Sequence, residues 1–339
     1  FARAWKAYQK AVQDKAPAAE LLPLAQAVYD ALPADPDNPK EQRLKAAAAF
    51  NLGAALRDLG ESDKAYERFR ESLDLFEAAL GKDAPELVDP LWELARLDLK
   101  VFHREVAATK KVHRIDTILA GQGDAMLGLR VVLHNEWANA FFRHQEPELA
   151  KAHLGWLEKN AARLPAQSEI ILGDASFLRG KMAAGNGRFR EAVKRYREAR
   201  EHYLASLPAR DRRVLIVDQF LVVALEELGK SEEATAYCQE IGRYQPPRPD
   251  SDYMPLFRRV PDYPPDALNR GIGGYVVVSL TVTADGRTRD IRVIESNPPR
   301  IFDRAAIEAA RQFRYAPRFA DGRPVDTPDV RYKFAFVID

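Results

Sequence analysis

The chain has 339 residues, 46% of them hydrophobic and 30% charged, which is ordinary globular composition and excludes disordered and collagen-like classes. Fifty-one Lys and Arg stand against 50 Asp and Glu, so the basic excess that nucleic-acid binders use for phosphate contacts is missing and no nucleic-acid partner is expected. The single cysteine, Cys238, has no partner for an internal disulfide, and no apolar run approaches the roughly 18 to 20 residues of a membrane span.

The sequence opens at Phe1 and enters an amphipathic stretch at once (Trp5, Tyr8, Val12). The expectation is that a signal peptide or N-terminal membrane anchor is absent from this chain. Residues 1–33 predict a helical hairpin, with Pro17 opening its second helix and Pro33 ending it. A fixed period follows. Ala65, Ala108, Ala150, Ala192 and Ala234 recur about every 42 residues, each inside a helix-forming stretch. One helical turn after each stand Phe69, Val112, Leu154, Tyr196 and Cys238, and nine residues before each stand Leu56, Leu99, Phe141, Ala183 and Leu225. Gly60, Gly187 and Gly229 mark the turn between the two helices of three units, while Arg104 and Gln145 are assigned that place in the other two. Small alanines suit the points where two helices approach closely.

This pattern resembles the tetratricopeptide repeat (TPR) family, best in Leu52-Gly53-x-x-Leu56-x-x-x-Gly60-x-x-x-x-Ala65-x-x-x-Phe69 and again from Leu221 to Cys238. The usual unit is about 34 residues, so a period near 42 implies helices about one turn longer. The resemblance implies a TPR-like helical-repeat solenoid over residues 1–244 that holds a peptide or protein in its groove.

Gln245-Pro-Pro-Arg-Pro-Asp-Ser-Asp then reads as a linker, assigned to 245–254. From Tyr275 the period becomes two: Val276, Val278, Leu280 and Val282 predict a strand. The Asp285-Gly286 turn leads to a second strand through Ile291, Val293 and Ile294. Phe302, Ala306, Ala310 and Phe313 keep helical spacing, and Val330, Tyr332, Phe334, Phe336 and Ile338 alternate in a last strand. The expected order is strand, strand, helix, strand.

Several ordered motifs carry a second resemblance over residues 255–339. They are Tyr263-Pro264 before Gly271-Ile-Gly-Gly274, then Phe302-Asp303, Phe313-Arg314-Tyr315-x-Pro317 and Asp321-Gly322-x-Pro324. Together they look like the C-terminal domain of the TonB energy transducers, with Phe313 where a Trp is usual. The resemblance implies a small α+β domain, an antiparallel three-stranded sheet with two helices, in the periplasm of a Gram-negative cell envelope. It implies a partner as well: a TonB-dependent receptor of the outer membrane, or another envelope protein, whose extended segment adds to a free sheet edge. By that analogy the edge is Val330, Arg331, Tyr332, Lys333, Phe334, Ala335, Phe336 and Val337, with the two cations opposing self-pairing. A homodimer by strand exchange is a second use of the same edge.

No catalytic, cofactor or metal site is expected. Gly271 to Gly274 precedes a strand, whereas phosphate loops follow one and open a helix. The six histidines show no pair at the i, i+4 spacing of two ligands on one helix face. No Ser, Cys or Lys sits in a nucleophile motif. The last domain carries 14 basic and 11 acidic residues, a net of +3 that reads as a solvated surface. The overall reading is a non-enzymatic periplasmic adaptor linked to energy-coupled transport across the outer membrane; the alternative is a periplasmic repeat scaffold whose last domain no longer transduces energy.

Overall fold

The computed structural model describes residues 1–244 and 253–338. The expected linker lies largely outside the described residues. By its internal contacts the chain divides into two compact units, Phe1–Ala150 and Lys151–Asp339.

In the first unit, α1 (Ala2–Gln13) and α2 (Ala18–Asp30) form the expected hairpin, with Pro17 in extended backbone as the cap of α2. Helices α3 (Pro39–Asp58) and α4 (Ser62–Leu80), α5 (Val88–Lys100) and α6 (Glu105–Gly121), and then α7 (Leu127–Arg143) follow. Asn38 starts α3 by accepting the Glu41 N–H at 3.0 Å ahead of Pro39, a residue that has no N–H to leave unpaired. Helix α8 (Pro147–Asn160) runs across the boundary between the units. The second unit continues with α9 (Ser168–Gly185), α10 (Phe189–Ser206), α11 (Arg212–Glu227) and α12 (Ser231–Tyr244).

The alanine register marks the second helix of every pair, and all five alanines are fully buried. Their companions one turn on, and those nine residues before, are buried as well. Glycine does the same work where the facing side chain is large. A Cβ on Gly53 would stand 2.9 Å from the Phe69 ring, and one on Gly180 would stand 2.4 Å from the Tyr196 ring. Sixteen residues before the smaller Cys238 the chain can carry Val222, and these two share one buried cluster.

Each pair is closed by one left-handed residue, at φ 82° for Gly60, 51° for His103, 61° for Gln145 and 69° for both Gly187 and Gly229. The second of these corrects the sequence assignment. Arg104 has φ −110° and caps α6, while His103, five residues before Ala108, takes the turn. Histidine is among the non-glycine residues that tolerate this region. In four pairs the next N–H closes back on the residue nine before the alanine: Glu61 on Leu56 at 2.9 Å, Glu146 on Phe141 at 2.8 Å, Arg188 on Ala183 at 2.9 Å and Lys230 on Leu225 at 2.8 Å. In the second pair Arg104 reaches the Asp98 carbonyl instead, at 2.7 Å.

The last part of the chain is α13 (Pro265–Asn269), β1 (Gly274–Val282), β2 (Thr288–Asn297), α14 (Asp303–Ala310), a short hairpin of β3 (Arg318–Ala320) and β4 (Arg323–Val325), and β5 (Thr327–Phe336). The expected strand, strand, helix, strand order and the small antiparallel three-stranded sheet are both present, in the order β2-β1-β5. The β3–β4 hairpin is an addition that was not expected; Asp321 and Gly322, at φ 50° and 73°, form its turn. Val276, Val278, Leu280 and Val282 meet Phe302, Ala306, Ala310, Phe313, Phe334 and Phe336 in one core. Its packing begins at Tyr253, whose hydroxyl donates to the Ala316 carbonyl at 2.7 Å.

Gly180→Ala tests the close-approach rule, because the added methyl meets a buried ring that has no room to retreat. Overpacking of this kind costs about 1 to 3 kcal/mol. The expected outcome is a clearly lower thermal midpoint by circular dichroism, with no comparable change for Gly185→Ala, where a Cβ meets nothing within 4 Å.

Candidate partner-binding edge

Strand β5 lies at one side of the sheet and pairs with β1 in a single register from Val330↔Leu280 to Phe336↔Gly274. Its period-two alternation decides what each face shows. Val330, Phe334 and Phe336 are buried, Tyr332 is half-buried with its ring edge-on to Phe313 at 4.9 Å, and Arg331, Lys333 and Ala335 are exposed. Lys333 lies over the Tyr275 ring, its Nζ 4.1 Å from the centroid. Val337 falls just past the strand and is exposed. Among the described residues no strand pairs with the outer side of β5.

The two free edges of the sheet are not equivalent. Strand β2 slips register twice against β1, with Asp290 held at φ 52°, and most of its residues are exposed. Strand β5 slips once, near its start, where Asp329 has φ 58° next to Pro328. Bulges twist an edge and interrupt its row of donors and acceptors, and proline removes a donor. The uninterrupted run is therefore Val330 to Phe336, seven of the eight residues singled out from the sequence.

The motif residues hold this edge in place. The Tyr263 hydroxyl donates to the Ile272 carbonyl at 2.8 Å, and its ring lies edge-on to Phe302 and Phe336, at 5.5 and 5.7 Å. Phe302 and Phe336 stack at 4.2 Å. Pro264 caps α13, and Gly271 at φ 62° turns the chain into β1. Gly274 is required because a Cβ there would lie 2.1 Å from the Asn297 carbonyl. Asp303 opens α14, while Gly322 and Pro324 belong to the short hairpin.

Arg314, Tyr315 and Pro317 face elsewhere. Arg314 is 2% exposed and reaches the last repeat: Nη2 donates to Thr235 Oγ1 at 2.8 Å and lies 3.7 Å from Cys238 Sγ, and within its own domain it donates to the Asp285 carbonyl at 3.1 Å. Its Nε sits 3.4 Å from Glu226 Oε1, with both side chains almost fully buried. The Tyr315 N–H donates to the Gly286 carbonyl at 2.8 Å. A Cβ on Gly242 would lie 2.2 Å from the Pro317 carbonyl, and one on Gly286 would lie 2.3 Å from that of Tyr315. Val222, Cys238, Ile241, Phe257 and Ala316 close the seam as one apolar cluster. Burial pushes the Cys238 thiol up to about 11. Sequence reasoning placed Cys238 in a repeat core and Arg314 in a domain motif without joining them.

Among the described residues no group of His, Cys, Asp and Glu could hold a metal ion, and no helix is long and apolar enough to cross a membrane.

The geometry defines a class, a helical-repeat protein carrying a small α+β domain whose less interrupted free sheet edge is β5. Residues 259–338 match the family described as Gram-negative bacterial TonB protein C-terminal, and this matched domain follows a region of helical repeats. It is 47% identical over 76 residues to Protein TonB of Pseudomonas aeruginosa, covering 22% of this chain and 22% of that relative, and 37% identical over 62 residues to Protein TonB of Escherichia coli, covering 18% and 26%. The chain thus spans only about a quarter of these relatives' length. The solved TonB2 protein of Vibrio anguillarum is 36% identical, covering 28% of this chain and 93% of that one, with a TM-score of 0.22. BtubC of P. vanneervenii is 16% identical, covering 72% and 95%, with a TM-score of 0.49.

Arg314→Ala strands Glu226 in the seam without its cation, and breaking a buried pair in this way costs about 3 to 5 kcal/mol. The measurable outcome is at Cys238. In the native protein it should resist a disulfide reagent at pH 8, and in the variant it should react at least tenfold faster. An unchanged rate would mean that the seam does not depend on Arg314.

Proposed function

We propose that this chain is a non-enzymatic adaptor of the TonB family in the cell envelope, in which β5 receives an extended segment of a partner while the repeats hold a second protein. The carrying observation is the uninterrupted run Val330 to Phe336, with no strand on its outer side among the described residues, on a domain matched along its length by the TonB C-terminal family. Main-chain hydrogen bonds supply the affinity in such strand addition, and alternate side chains supply the choice of partner. Here those side chains are Arg331, Lys333 and Ala335, so a segment with acidic and small residues at every second position fits best. The partner class is an outer-membrane TonB-dependent receptor, or another envelope protein with such a segment. The periplasm is the compartment that goes with this partner, and energy-coupled transport across the outer membrane the process. A homodimer through the same edge competes with the segment. The repeat region is assigned to 1–244 and the last domain to 255–339, joined by 245–254.

The second reading is a periplasmic scaffold in which the last domain no longer transduces energy. Its support is the seam. Arg314, Tyr315 and Pro317 of the matched domain are occupied by α11, α12 and the β1–β2 turn, an arrangement that suits a fixed part of a scaffold.

Proline at adjacent positions of β5 tests the edge. In an antiparallel pair the N–H groups of neighbouring residues point to opposite sides, so of Phe334→Pro and Ala335→Pro one removes an outward donor and the other a ladder bond to β1. The expected result is that one variant keeps its circular dichroism and loses binding to a receptor-segment peptide, read by fluorescence anisotropy. If the folded variant binds as the parent does, β5 is not the edge used.

A further inference from the structure

The amphipathic stretch at Phe1 to Val12 forms α1, and the fold leaves much of its apolar side uncovered. Phe1, Trp5, Tyr8 and Val12 share one face of the helix, each about one turn from the next. Three of them form a ladder of rings: Phe1 stacks on Trp5 at 6.3 Å, and Trp5 stacks on Tyr8 at 5.9 Å. Helix α1 packs on α2, and Ala4, Trp5, Tyr8 and Ala11 are half-buried. No residue of α1 is buried outright, whereas α2 buries Ala25 and Val28. Phe1 is 44% exposed and Val12 46%.

The opposite face is cationic. Arg3, Lys6 and Lys10 stand about half a turn around the helix from the apolar stripe, and all three are exposed. None of them has a carboxylate within ion-pair distance among the described residues. Lys15 adds a fourth cation in the turn that follows, against the single carboxylate of Asp14.

Rings on one side and unpaired cations on the other are the pattern of a helix that lies along the interface of a bilayer, where Trp and Tyr settle at headgroup depth. A helix is about 10 Å across, close to one Debye length at ordinary salt, so cations on its far side still feel anionic headgroups. A second copy of the chain is a poorer occupant. The 12 residues of α1 span about 18 Å, and a face about 10 Å wide offers roughly 200 Å², against about 800 Å² per partner in a stable complex. We propose that α1 lies on an anionic lipid surface, with Phe1, Trp5, Tyr8 and Val12 entering the headgroup region and Arg3, Lys6, Lys10 and Lys15 meeting its charge. The contact runs along the surface and crosses nothing. It does not depend on what β5 receives.

The test sediments the full 339-residue chain with vesicles of phosphatidylglycerol mixed into phosphatidylcholine, and with vesicles of phosphatidylcholine alone, at low and at high salt. The chain should partition onto the anionic vesicles at least tenfold better, with the difference shrinking as salt rises. Lys6→Glu with Lys10→Glu should weaken that binding at least tenfold, and Lys6→Arg with Lys10→Arg should bind as the parent does. Val12→Gln, at an exposed position, should weaken it severalfold with the circular dichroism unchanged. Phosphatidylglycerol with brominated chains should quench part of the tryptophan fluorescence of the parent and less of that of Trp5→Phe. Equal or absent partition onto the two kinds of vesicle, or unchanged binding by the folded Lys6→Glu with Lys10→Glu variant, overturns the proposal. So does a lipid-free dimer, seen by sedimentation velocity, that Val12→Gln dissociates, since the face would then belong to a second copy.

Discussion

The burial of Arg314 is the constraint on which the second unit is organised. A guanidinium that is 2% exposed needs donors met and charge balanced, and its own small domain supplies one carbonyl, that of Asp285. The last helical pair adds a hydroxyl from Thr235 and a thiol from Cys238 at Nη2 and the charge of the Glu226 carboxylate, while Nε and Nη1 make no hydrogen bond. Balancing one buried charge therefore fixes where the final domain sits on α11 and α12. The close backbone approaches at Gly242 and Gly286 follow from that seating, as does the small apolar cluster around Phe257 and Ala316. Buried charge is a weak source of net stability but a strong source of geometric uniqueness, because alternative dockings leave it unpaired.

The repeats were legible in the sequence because the physics that makes them is short-range. Ala65, Ala108, Ala150, Ala192 and Ala234 are alanines for lack of room, and a fixed turn length keeps them in register. The left-handed turn was placed correctly at the three glycines and at Gln145, whose position followed from the fixed period. His103 occupies the same conformation without glycine's signature, and counting to Arg104 instead placed the second turn one residue late. The last sheet was legible from its period of two, while the β3–β4 hairpin was not, since strands of three residues are too short to show a period.

The seam was illegible for a different reason. Arg314 and Cys238 are 76 positions apart, and nothing in their local sequence distinguishes them from a surface arginine and a core cysteine. The seam comes from tertiary placement acting on residues whose local pattern is ordinary, which is where reading a chain by periodicity runs out.

The edge and the seam also bear on each other. Phe313 packs against Tyr332 and Phe334 of β5, with ring centroids at 4.9 and 5.5 Å, and it directly precedes Arg314 in the chain. The support of the open edge and the buried charge that docks the domain are thus neighbours in the chain. A segment paired along Val330 to Phe336 would load the strand whose core face rests on Phe313, and the next residue to bear that load is held by Glu226 and Thr235. A domain free of the repeat would yield there through the motion of an arginine at its surface. In this chain Arg314 is held in a buried cluster with α11 and α12, so the support of the β5 edge and the docking of the domain on the last repeat are adjoining parts of one packed structure.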